Sequence, residues 1–124
     1  MRQKYVMGNW KMHGSFSSIS LLLHALTAEE KKSAATLAVF PPYVYLQKTH
    51  DSLKNTDLSY GAQNVYPAIS GAYTGEIAGP MLKDLGCKYV MVGHSERRHI
   101  FGESDEIIAR KFKHVKECGM IPVL

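Results

Sequence analysis

The chain has 124 residues, 45% hydrophobic and 21% charged, with a net charge of +4, which is the make-up of an ordinary soluble globular domain. No apolar run approaches the roughly 18 residues of a membrane span, and Met1-Arg2-Gln3-Lys4-Tyr5 passes into a strand-like run with no signal-peptide core, so the cytoplasm is the expected compartment. The local basic excess at Arg110, Lys111, Lys113 and Lys116 falls late in a predicted helix, where cations complement the helix dipole; a solvated face is expected there and a nucleic-acid surface is not.

Apolar, strand-like runs begin near Lys4, Leu37, Leu58, Lys88 and Ile121, a mean spacing of about 29 residues that suits a strand, a helix and two loops. Between the first two runs, Phe16, Ile19, Leu22, Leu23 and Leu26 recur at helical spacing, with Ser15, Ser17 or Ser18 as the cap. Pro41-Pro42 precedes a second helix from Tyr43 to Leu53. Gly79-Pro80 opens a short helix that Gly86 closes. Ser104 caps the last helix, Asp105 and Glu106 occupy its first turn, Ile108, Phe112 and Val115 line one face, and Gly119 ends it. Cys87 and Cys118 lack any metal-ligand spacing and are expected to be buried free thiols.

Strand–helix alternation with apolar strands predicts a parallel sheet with helices packed against it. The rhythm alone leaves a barrel and an open doubly wound sheet equally possible. Ile121-Pro122-Val123-Leu124 reads as the start of a fifth buried strand with nothing after it, so truncation is the expectation, with the first and last strands left as open edges.

Two strand ends carry reactive side chains. In Gly8-Asn9-Trp10-Lys11-Met12, a lone lysine after a strand is ordinarily a surface residue. The functional reading makes Lys11 a fixed ammonium facing a phosphate or a developing oxyanion, with Asn9 positioning it or the substrate. Trp10 and Met12 are expected to face the core. The second strand end, Val92-Gly93-His94-Ser95-Glu96-Arg97-Arg98, follows the run Tyr89 to Val92. His94 reads as a general acid, a metal ligand or a structural histidine. Ser95 and Glu96 begin a short helical turn whose donors would lie near the imidazole, disfavouring the imidazolium and leaving a neutral ring that can donate to a carbonyl.

No metal site is expected, because His94 and His99 are five apart and off the same-face helical spacing. Gly93-His94-Ser95-Glu96-Arg97 falls short of a hydrolase elbow, since Arg97 stands where that tight turn needs glycine. Ser95 is instead read as a helix cap or a substrate-binding donor. Glu96 is read either as an ion-pair partner of Arg97, Arg98 or a lysine, or as the group that holds Lys11 or moves a proton beside His94. Arg97 and Arg98 are read as salt-bridge residues, with Glu103 one partner. The connection from Asn64 to Ala78 is long, and its Gly71-Ala72-Tyr73-Thr74-Gly75-Glu76 favours an ordered tight turn that docks on a partner. Neither a dinucleotide fingerprint nor a P-loop is present.

Taken in order, Gly8 through Met12, Phe40-Pro41-Pro42, Gly61-Ala62-Gln63-Asn64, Gly71 through Glu76 and Val92 through Asp105 resemble triosephosphate isomerase, in register from Tyr5 to Leu124. The resemblance implies the (β/α)8 TIM barrel, an α/β fold. Residues 1–124 would form the N-terminal half of that single domain: about four β/α units plus the start of strand five. It implies interconversion of dihydroxyacetone phosphate and glyceraldehyde 3-phosphate without a cofactor. By the same resemblance Lys11, His94 and Glu96 are catalytic, Asn9, Lys11 and Ser95 bind substrate, and the loop around Thr74 is the dimer loop of a homodimer. The neutral electrophilic histidine has this enzyme as its standard case. His13 departs from the polar amide many members carry. The resemblance also places a base glutamate after strand six and a glycine-rich phosphate grip after strands seven and eight. A chain ending in strand five would lack them, and inactivity of the isolated chain is expected. A non-catalytic half-barrel that pairs with a complementary chain or intact subunits is the alternative, and a different phosphate-handling barrel enzyme a third reading.

Overall fold

The computed structural model describes residues 1–29 and 33–124. Five strands form one parallel sheet in sequential order: β1 (Tyr5–Asn9), β2 (Thr36–Phe40), β3 (Ser59–Ala62), β4 (Tyr89–Met91) and β5 (Ile121–Val123). β1 and β2 pair in register from Tyr5↔Thr36 to Asn9↔Phe40, and β4 and β5 from Tyr89↔Ile121 to Met91↔Val123. Every strand therefore ends on the same rim. β1 and β5 each have one neighbour and form the sheet's edges.

The strand order separates the two architectures that the rhythm left open. A doubly wound sheet reverses its order partway and carries helices on both faces. Here the order never reverses, and the helices lie on one face only. That face joins Val39, Tyr60, Ala62, Val90 and Val92 of the strands and their ends to Ile19, Leu23, Leu46, Leu53, Leu82 and Val115 of the helices. The opposite face holds strand side chains alone: Ala38, Phe40, Tyr89 and Met91, with Met7 and Val123 against them. A sheet with strand side chains inside and helices outside is an incomplete TIM barrel, as the resemblance implied. Period-two alternation sorts the residues: Leu37 and Val39 face the helices, Ala38 and Phe40 the interior. Gly61 is demanded by close approach, since a Cβ there would lie 2.3 Å from the Tyr89 carbonyl oxygen and 2.7 Å from the Phe40 ring.

The helices are α1 (Phe16–Ala28), α2 (Leu46–Leu53), α3 (Gly79–Asp84), α4 (Ser95–His99) and α5 (Asp105–Glu117). Ser15 caps α1, and Ser18 reciprocates in a capping box. Ile19 and Leu23 of its expected apolar face are buried, whereas Leu22 and Phe16 are exposed, the Phe16 ring meeting Tyr45 edge-on at 5.6 Å. Pro42 precedes a 3-10 turn, Tyr43–Tyr45, and α2 begins only after it. Ser104 caps α5 as expected, with Ile108 and Val115 buried but Phe112 on the surface. Cys87 is a buried free thiol, its pKa pushed up to about 12 by burial, and Cys118 is half-buried. Among the described residues no helix is long and apolar enough to cross a membrane.

Lys111 corrects the expectation of a solvated basic face. It is 4% exposed, and its ammonium donates to Glu103 Oε2 at 2.6 Å and to Asn64 Oδ1 at 2.9 Å. Arg97 joins the same carboxylate oxygen at 2.5 Å and stacks on the Phe101 ring at 4.7 Å. Arg98 pairs with Asp105 at 2.8 Å. The salt-bridge reading of both arginines holds. Burial opposes the charge on Glu103, but hydrogen bonds from Arg97 and Lys111 outweigh it and hold the carboxyl below its usual range. Removing one partner of a buried pair strands the other charge at a cost of about 3–5 kcal/mol. Glu103→Gln is expected to lose about 3 kcal/mol in denaturant unfolding. The Glu103 carboxylate stabilises the fold fully above an ordinary glutamate pKa, about 4.3, and this contribution is lost as pH falls through its depressed folded value. The variant should lack that portion of the acid-side decline.

Candidate active site

The rim at the strand C-termini gathers the residues that the sequence singled out. Asn9 ends β1, Gln63 follows β3, and Gly93-His94 lead from β4 into α4. A cleft of about 250 Å³ is lined there by Asn9, Lys11, Gln63, His94, Glu96 and Arg97 among others. Larger cavities of about 830 and 560 Å³ lie elsewhere, one between α1 and the strand starts and one between α3 and α5. Neither brings together the donors that meet at this rim.

Lys11 is the single non-glycine residue with positive φ among the described residues, at 52°. Such a backbone is costly for a side chain bearing a Cβ and persists where surrounding groups impose it. Its N–H donates to Asn9 Oδ1 at 2.9 Å, and its carbonyl accepts from Gln63 Nε2 at 2.9 Å. Gln63 Nε2 also donates to the Phe40 carbonyl at 2.8 Å, so one amide ties the Lys11 turn to the end of β2. The Lys11 ammonium reaches Glu96 Oε1 at 2.7 Å, joining the first strand end to the fourth across 85 residues of sequence. Both side chains are about half exposed. The hydrogen bond from Lys11 is the main cause that holds the Glu96 carboxyl below its usual range, and the charges of Lys11 and His94 add to it.

His94, not Ser95, caps the short helix: its Nδ1 accepts the Glu96 N–H at 3.1 Å. This corrects the capping role read for Ser95, which is the exposed first residue of α4. The Glu96 carboxylate is 3.6 Å from the same nitrogen, beyond hydrogen-bond reach. With Nδ1 accepting, the ring proton belongs on Nε2. Asn9 Nδ2 lies 3.4 Å from that Nε2, and its Oδ1 is already committed to the Lys11 amide. Two donors therefore lie side by side, 3.4 Å apart, where one oxygen acceptor placed in the cleft can take a hydrogen bond from each.

Met12 is 93% exposed, against the expectation that it faces the core, while Trp10 packs against the core as expected. Thr74 is exposed at a turn of an ordered excursion from Asn64 to Ala78, apart from the cleft lining. The excursion's ends are held by the Tyr66↔Ala78 bridge, and its Tyr66 and Tyr73 rings lie 4.4 Å apart. Sequence reasoning assigned no role to Gln63. Its place directly after β3, on the rim shared by Asn9 and His94, is the signal that marks it.

The family model described as triosephosphate isomerase matches residues 4–124. The chain belongs to the triosephosphate isomerase family. It is 52% identical over 127 residues to the triosephosphate isomerase of Legionella pneumophila (strain Paris), covering 100% of this chain and 50% of that protein. It is 47% identical over 124 residues to that of Dechloromonas aromatica (strain RCB), covering 100% of this chain and 50% of the relative. The Coxiella burnetii (strain Dugway 5J108-111) protein is 48% identical over 124 residues, covering 99% of this chain and 49% of the relative. The chain spans about half the length of the curated relatives it matches.

The Lys11–Glu96 pair is open to direct test. Carboxyl NMR titration should place Glu96 below the ordinary value of about 4.3 in the wild-type chain, and Lys11→Met should move it up towards that value. An unchanged titration would mean that the ion pair does not form in solution.

Proposed function

We propose that this chain supplies the electrophilic half of a triosephosphate isomerase site, with a triose phosphate as substrate. The observation that carries the reading is the convergence of the His94 Nε2 and Asn9 Nδ2 donors, 3.4 Å apart, beside the Lys11 ammonium. A carbonyl oxygen between the two donors is polarised, and the negative charge that develops on it is stabilised by groups already in place. A base removes the proton from the adjoining carbon; the C–H electron pair becomes the carbon–carbon double bond, the carbonyl π pair moves onto oxygen, and an enediolate forms. The hydroxyl proton then passes to that oxygen, and return of a proton to the former carbonyl carbon completes the exchange of ketose for aldose. Glu96 fixes the Lys11 ammonium in this scheme, and Ser95 contributes a donor at the rim.

The base is a separate matter. Glu96 is the one carboxylate lining the cleft among the described residues, and it is bound to Lys11. An acid–base step needs a base within reach of the reacting carbon, so in this reading the base and the phosphate grip come from a further half-barrel. The exposed Thr74 turn serves as the contact of a homodimer once the barrel is complete, and the cytoplasm is the compartment. The open edges β1 and β5, with exposed Val6 and Ile121, favour a second reading in which the half-barrel is a non-catalytic partner of a complementary chain.

A coupled isomerase assay tests both. The chain alone is expected to show no activity. Co-expression with the second half of the Legionella pneumophila relative is expected to restore it, and His94→Gln or Lys11→Met in that complex should lower kcat by about 100-fold or more with little change in Tm. Robust turnover by the chain alone would contradict the missing base. Assembly without turnover would favour the non-catalytic partner.

A further inference from the structure

Helix α5 holds both feet of the long excursion between β3 and α3. Lys111 donates to Asn64 Oδ1 at the first foot, at 2.9 Å. One helical turn later, His114 Nε2 accepts the backbone N–H of Gly79 at the second foot, at 3.1 Å. The packing at Gly79 is close: a Cβ there would lie 2.6 Å from both His114 Nε2 and Cys118 Sγ. His114 is 7% exposed. These two contacts differ in kind, because an ammonium remains a donor across the ordinary pH range, whereas an imidazole nitrogen accepts only while it carries no proton.

We propose that the His114–Gly79 contact is a pH-dependent latch, in which protonation of His114 at Nε2 sets two donors against each other and releases Gly79 from α5, while the Tyr66↔Ala78 bridge still closes the neck of the excursion. The groups around the ring support this. Its own helix presents Glu117 and Cys118, whose Sγ is 3.7 Å from Nε2. Across the groove, α3 presents Lys83 and Asp84, with the Lys83 ammonium committed to the Gly119 carbonyl at 3.1 Å. Burial holds the His114 pKa below its usual value, and Glu117 only partly offsets this. For a basic group depressed in the folded state, the closed latch contributes fully above the free imidazole pKa of about 6.5 and is lost progressively below it. The Lys111 foot stays fastened throughout.

Amide hydrogen exchange of the full chain tests the latch. Corrected for intrinsic exchange, protection at Gly79 is expected to fall by about tenfold between pH 7.5 and 5.5, as befits one lost hydrogen bond, while protection at Val90 in the core strand holds. His114→Gln supplies a non-titrating acceptor at the same reach and should remove the pH dependence. Nitrogen-15 spectra of the wild-type ring should show Nε2 without a proton at neutral pH, a readout that does not require the variant to fold. Three results would overturn the proposal: pH-independent protection at Gly79, the same decline in the glutamine variant, or a ring proton resident on Nε2 at pH 7.5. A decline shared equally by Val90 would overturn it as well.

Discussion

Parallel pairing in unbroken sequential order is the constraint on which the rest of this structure depends. Because Asn9 is in register with Phe40 and Met91 with Val123, residues just beyond each strand emerge on one rim. Parallel strands need crossovers of one hand, and with an order that never reverses these place α1, α2, α3 and α5 on a single face and leave the other to strand side chains. Gly61 keeps that inner face closed by letting Phe40 and Tyr89 approach the third strand. A site assembled from Asn9, Gln63 and His94, residues far apart in sequence, follows from this geometry before any of them acts chemically.

Two ion-pair systems share α4 and its neighbours, and they do different work. The Glu103 carboxylate, buried with Lys111 and met by the partly exposed Arg97, ties α5 to the segment after α4, and Lys111 carries the network on to the foot of the long excursion. Its energetic weight lies in what its loss would strand. The Lys11–Glu96 pair is half exposed, and exposed pairs contribute little to stability. Its consequence is positional, since it fixes a cation at the mouth of the cleft while Asn9 and Gln63 hold the Lys11 backbone in a conformation it would not adopt alone. Rigidity at the rim is what a site acting through preorganised donors requires.

The sequence made the strand–helix rhythm, the rim residues and the Ser15 and Ser104 caps legible, since each rests on local periodicity or on a residue type with one strong preference. What escaped it was set by long-range neighbours. Barrel and doubly wound sheet share one rhythm and differ only in strand order. Lys111 looked like one more surface cation, and only the arrival of Glu103 and Asn64 from elsewhere makes it buried. Met12 and Phe112 fit apolar patterns but lie exposed, with the Lys116 ammonium 6.0 Å over the Phe112 ring. Serine is the commoner capping residue, so the sequence offers Ser95 as the cap of α4 or as a substrate-binding donor, yet the imidazole one position earlier does the capping. Ser95 and Thr74 are exposed, and among the described residues no hydrogen bond or ion pair involves either side chain.

Which nitrogen of His94 carries the proton decides whether the rim can polarise a carbonyl. If Nδ1 accepts the Glu96 amide, the ring must present Nε2–H to the space it shares with Asn9, and an oxygen ligand has two donors waiting. Long-range nitrogen-15 to proton spectra of the His94 ring in the chain decide this directly. The expected result is a proton on Nε2 and a bare Nδ1; a proton on Nδ1 would break the contact with Glu96 and contradict the electrophilic site proposed here.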